Sequence, residues 1–245
     1  MFYGFSPSWL FIMIVSIALG AITQSYIRST YRRWSGVALS SGMTGAEVAL
    51  RVLEHNGLAG SGSVVVQAGG SRGVRIQRVG GNLTDNYDPR NKTLNLSEGV
   101  YGSASVAAAG VAAHEAGHAI QDATGYVWGR VRGVLVPAAS FGSSMAWVLI
   151  MVGVFVGAAS FLGYYAILTG IAFYATAVLF QVVTLPVELD ASRRAMASLE
   201  ATGVLSGEQL GGARHVLTAA AFTYIAAALI ALMQLLYLLG FLRRD

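Results

Sequence analysis

The hydrophobic pattern divides the chain sharply. Three stretches carry no Asp, Glu, Lys or Arg: Met1 to Ile27, Gly133 to Val187 and His215 to Leu242. A helix needs about 20 mainly apolar residues to cross a hydrocarbon layer roughly 30 Å thick. The first and third stretches therefore hold one spanning helix each, and the middle one holds two joined by a very short turn. Four spans are predicted, near 8–27, 134–157, 161–185 and 216–239. Such segments are cheap to expose only in lipid, where the backbone must satisfy its own hydrogen bonds as helix. Ser6 can cap the first helix, with Pro7 at the first helical position, where a missing N–H does no harm. Positive charge follows this run, at Arg28, Arg32 and Arg33, and the run is too long for a signal peptide, so it reads as an uncleaved anchor. Gly153 and Gly157 form a GxxxG pair inside a span, the pattern of a helix-packing face.

Between the first two spans the pattern changes to that of a small water-exposed α+β region. Thr44–Gly57 alternates as an amphipathic helix, with Thr44 and Glu47 as a capping box and Gly57 as the stop. Val64–Gln67, Gly73–Val79 and Thr93–Leu96 read as short strands, the last fed by a turn at Asp88–Pro89–Arg90–Asn91–Lys92. Ser103–Thr124 then reads as a helix of small residues, a composition that allows close helix contact without implying chemistry.

Composition agrees with a membrane setting. The 245 residues are 55% hydrophobic and only 11% charged, with a mean hydropathy of +0.59. Soluble domains carry about 25% charged residues. Fourteen of the 16 Lys and Arg fall in 28–132 and 188–214, which lie on one side of a four-span chain. The positive-inside tendency makes that side the cytoplasm and puts both termini outside, with Arg243 and Arg244 the only discord. The expected organisation is an anchor over 1–27, a cytoplasmic catalytic region over 28–132 and a transmembrane hairpin over 133–187. A cytoplasmic helical segment over 188–214 and a last span and tail over 215–245 complete it. The pI of 9.5 is explained by this topology and by anionic lipid, so it gives no support for nucleic-acid binding. With no Cys there is no disulfide, thiolate ligand or thiol nucleophile.

His114-Glu115-Ala116-Gly117-His118 fits H-E-x-x-H. Residues four apart share a helix face, so both imidazoles can reach one Zn²⁺, while Glu115, about 100° round the helix, can act as general base. A catalytic zinc takes three protein ligands and keeps one position for water. His55 and His215 read as surface or interface residues. Asp85, Asp88, Glu98 and Asp122 are near in sequence, and Glu188 is the first charge after the long uncharged run, with Asp190 the next choice. The residues alone leave Glu188 and Asp190 both open.

Several blocks together resemble the YugP-type family of bacterial membrane zinc metallopeptidases. They are the Thr44–Gly57 helix, Leu83–Arg90, Leu96–Tyr101, Ala113–Gln121 and Leu185–Ala195, and the resemblance covers essentially the whole chain. Asn86 stands where that family usually has His, which would weaken any role of that position in metal or substrate binding. More distantly the chain is similar to the HtpX-like integral-membrane gluzincins, whose third zinc ligand is a later Glu within Glu-x-x-Ala-Asp. Glu188-Leu189-Asp190-Ala191-Ser192 matches the Glu and the Ala, with Ser192 in place of the Asp. The resemblance implies Glu188 as third ligand, without the expected supporting carboxylate.

The function expected is zinc-dependent hydrolysis of protein or peptide substrates at a bacterial cell membrane. A part in membrane-protein quality control is implied by the HtpX-like similarity alone. Candidates for a second donor to the tetrahedral intermediate are Tyr87, Tyr101, Arg193 and Arg194. Thr93, Leu94, Asn95 and Leu96 are expected to form an edge strand that could pair with extended substrate. The alternatives are a non-enzymatic scaffold or chaperone stabilised by zinc, and a transporter. The second is disfavoured because the spans lack ionisable residues.

Overall fold

A computed structural model describes residues 7–59 and 73–242. The Ser6 cap, the strand expected at Val64–Gln67 and Arg243–Arg244 lie outside the described residues. The elements run α1 (Pro7–Ser35), α2 (Gly45–His55), β1 (Arg75–Val79), β2 (Asn86–Asp88), β3 (Thr93–Ser97), α3 (Glu98–Tyr101), α4 (Val106–Ala123), α5 (Val127–Val156), α6 (Phe161–Ala201) and α7 (Gly207–Leu242). Helices α1, α5, α6 and α7 are each long and apolar enough to cross a membrane. The chain is thus a mainly α integral membrane protein with a small α+β region.

These helices outrun the predicted spans. Helix α5 takes in Arg130 and Arg132, α6 continues past Leu185 to Ala201, and α7 begins upstream of Arg214. Pro186 removes only one helical donor, and the residues that follow it include good helix formers. Gly203, at φ +67°, follows the end of α6 in the left-handed conformation common after helix C-termini. Residues 188–214 are therefore the end of α6, a short turn and the start of α7.

The chain divides into two compact units. One comprises Met1–Gln24, Arg130–Pro186 and Phe222–Asp245. In its described part, α5 and α6 meet where glycines remove side chains. Gly153 faces Gly163 and Ile167, and Gly170 faces Ala146 and Ile150. Helices α6 and α7 are joined by Tyr174 Oη, which donates to Gln234 Oε1 at 2.5 Å. Gly157, at φ +101°, lies in the turn after α5 and not in the helix; a Cβ on it would meet nothing, while its carbonyl lies against Gly163.

The other unit comprises Ser25–Gly129 and Val187–Ala221. Helix α2 opens with the expected capping box: Thr44 N donates to Glu47 Oε2 at 2.7 Å and Glu47 N donates to Thr44 Oγ1 at 3.4 Å. Gly57, at φ +69°, follows its end. Val48, Val52 and Leu53 of α2 share a core with Leu94 and Leu96 of β3, the alanines of α4, and Leu199 and Leu205. Helix α4 begins at Val106, later than the expected Ser103, and Ser105 caps it by accepting from Ala108 N.

The sheet has the order β1-β3-β2, with β1 parallel and β2 antiparallel to β3. This corrects the expectation that Thr93, Leu94, Asn95 and Leu96 form an edge. They lie in the central strand, paired on both sides, with Leu94 and Leu96 fully buried. The alternating pattern signals a strand, but which strands flank it depends on pairing with residues distant in sequence. Among the described residues, β2 has an open outer edge.

Candidate metal centre

Helix α4 and the part of α6 from Val187 onward, both in the second unit, build the centre. Helix α4 places His114 and His118 on one face, and α6 brings Glu188 against them. Glu188 Oε2 lies 3.2 Å from His114 Nε2 and 3.6 Å from His118 Nε2. One ligand atom from each residue falls within a 4.8 Å cluster, so the three are positioned to bind a metal ion. The close approach of the helices depends on Gly117, where a Cβ would collide with the carbonyl of Ala191 on α6. Gly117→Ala is therefore expected to push the helices apart, lowering stability by about 1–3 kcal/mol, the usual range for overpacking, and weakening zinc binding. Thermal unfolding and zinc titration check this; wild-type values in both would mean that the helices have room to spare.

Both imidazoles are held from behind. His114 Nδ1 lies 3.1 Å from Ser192 Oγ, and His118 Nδ1 lies 3.0 Å from Gln121 Oε1. With Nδ1–H donating in each ring, both Nε2 atoms are free to ligate. Ser192 thus meets His114 at the position where the HtpX-like pattern has Asp, with a hydroxyl in place of a carboxylate.

Charge favours a cation here. Glu188 is 3% exposed and Glu115 is 9% exposed. Burial opposes ionisation of Glu188, but the hydrogen bonds and charges of His114 and His118 outweigh it and hold its carboxyl well below the usual range. Burial likewise opposes a charged His118, yet Glu188, Glu115 and Gln121 together raise its pKa. Two imidazoles and a buried carboxylate are a donor set suited to zinc, whose positive charge would offset the cost of burying the acid.

The remaining candidates lie elsewhere or already have partners. Asp190, the second choice as ligand, is turned away from the triangle and pairs with Arg193 and with Arg194, whose Nε donates at 2.6 Å. Arg193 and Arg194 are thus tied to a carboxylate. Tyr87 Oη donates to Asp122 Oδ2 at 2.6 Å, and burial together with Asp122 pushes its pKa up. Tyr101 packs against the core. Asp85 accepts from Ser97 N, Asp88 from Arg90 N, Glu98 from Arg78 and Asp122 also from Lys92. His55 sits at the end of α2, and the ring of His215 lies 6.1 Å from that of Trp34. Asn86 accepts from Asn95 Nδ2 across the strands at 2.8 Å, a sheet-surface contact. Sequence reasoning gave no role to Gln121, although its position three residues after His118 was a usable signal.

Two comparisons with known proteins find a zinc-peptidase family and a membrane-protease relative. A family model described as "Putative neutral zinc metallopeptidase" matches residues 9–243. A relative from Bacillus subtilis (strain 168), "Putative membrane protease YugP", is 37% identical over 228 residues, covering 93% of each chain. No solved structure matches the chain. The family match extends over nearly the whole length and includes α4 and α6, so the chain belongs to this neutral zinc metallopeptidase family.

Proposed function

We propose that the protein is a zinc-dependent membrane endopeptidase in which His114, His118 and Glu188 hold the metal and Glu115 is the general base. The observation that carries the reading is the cluster of three ligand atoms within 4.8 Å of one another, with the carboxylate of Glu115 next to His114 on α4. Three protein ligands leave a coordination position open, whereas structural zinc sites normally use four. This favours an enzyme over a zinc-stabilised scaffold.

When bound, zinc lowers the pKa of water and polarises a scissile carbonyl. Glu115 accepts a proton from the attacking water at a carboxylate oxygen and passes it to the leaving amine. Ser192 Oγ can accept from His114 Nδ1–H, which leaves that ring's Nε2 for the metal. Extended substrate pairs with the open edge of β2, which Tyr87 pins to α4 through Asp122. The distribution of Lys and Arg supports a cytoplasmic catalytic unit. Glu188 follows directly on an uncharged run that ends at Val187, which favours substrates that are themselves held at the membrane.

The test is metal removal from the purified full-length protein. Chelation is expected to stop peptide cleavage, and equimolar zinc to restore it. Undiminished cleavage by protein shown to be metal-free would sink the proposal.

A further inference from the structure

The side chain of Gln121 is 3% exposed and meets three groups. Its Oε1 lies 3.0 Å from His118 Nδ1, while its Nε2 donates to Val187 O at 2.7 Å and to Asp190 Oδ2 at 3.0 Å. A backbone carbonyl and an ionised carboxylate only accept hydrogen bonds, so the amide nitrogen must face them. The oxygen is thereby turned to His118, which must carry its proton on Nδ1. The Nε2 lone pair is then left for a metal, on the side facing Glu188.

Asp190 is the anchor of this arrangement. It is 4% exposed and is gripped by Arg193 and by Arg194, whose guanidinium also donates to Thr124 Oγ1 at 3.2 Å. The chain of contacts runs from Arg194 through Asp190 and Gln121 to His118 and crosses from α6 to α4. Residues 66 and 69 positions from Gln121 thus fix the orientation of a ring that lies one helix turn from it.

We infer that Gln121 is a positioning residue of the metal centre, setting the tautomer and direction of His118, with Asp190 as its anchor. This rests on the reading of His118 as a metal ligand. Full-length protein in detergent, stripped of metal, would be titrated with zinc against a chromophoric chelator and with Co²⁺, whose visible spectrum reports ligand geometry. Gln121→Met, of similar length but apolar, is expected to lower zinc affinity about 10–100-fold, as loss of such supporting contacts commonly does, and to shift the Co²⁺ spectrum. Unchanged affinity and spectrum in folded Gln121→Met would overturn the inference. Should that variant not fold, Asp190→Asn decides: a several-fold loss of zinc affinity supports the anchor, and wild-type affinity overturns it. His118→Ala separates the two readings. It is expected to abolish both signals, and wild-type binding there would overturn the ligand assignment together with the positioning role.

Discussion

Glu115→Gln is expected to retain one zinc per chain and to lose peptide cleavage by about 10²–10⁴-fold, the usual contribution of a positioned acid–base group. Gln keeps the length and much of the hydrogen-bonding capacity of Glu, so packing around this mostly buried position should survive. What it cannot do is accept a proton at neutral pH. Zinc content and turnover must be measured on the same preparation, because the reading requires that they separate. Turnover equal to wild type would remove the general-base assignment and revive the scaffold alternative.

Glu188→Ala should act the other way, on metal first. It removes the only carboxylate in the three-residue cluster and leaves His114 and His118 facing a gap on α6. The loss of zinc affinity is expected to exceed the 10–100-fold typical of an outer contact, with cleavage falling in step. The effect on stability is smaller than that on binding. Without metal, Glu188 is a buried acid, and its replacement relieves a desolvation cost as well as removing a hydrogen bond to His114 and a close charge contact with His118. Metal-free unfolding is therefore expected to change much less than zinc affinity. Zinc binding by Glu188→Ala at wild-type strength would exclude this residue as a ligand.

Those two residues were legible in the sequence to different degrees. Glu115 belongs to a pattern set by helical geometry over five residues, which needs no tertiary information. Glu188 stood out as the first charge after an uncharged run, but only the resemblance separated it from Asp190. The structure adds the reason: Asp190 pairs with Arg193 and Arg194 at helical i,i+3 and i,i+4 spacing, and it also accepts from Gln121, 69 residues away, a contact that no local pattern displays. The departure at Ser192 was visible as a missing carboxylate, yet its contact with His114 spans 78 residues of sequence. The sheet shows the same limit. Thr93–Leu96 was readable as a strand from its alternation, whereas its central place follows from β1 and β2, whose pairing is a property of the folded chain. Spans were legible because hydropathy is local, but helix ends were not, since α6 runs on through Pro186.

The small residues of α4 have a further consequence. Ala107, Ala108, Ala109, Ala112, Ala113, Ala116 and Ala119 are almost wholly buried. Burying a Leu or a Met freezes rotamers at a cost of roughly 0.5–2 kcal/mol in conformational entropy, whereas Ala has none to lose. Ordering this face of the helix therefore restricts little beyond its backbone. The two imidazoles are among its few side chains with rotamers to choose, and Ser192 and Gln121 choose for them. An arriving metal ion has little left to order, so its binding free energy is not spent on assembling its own site.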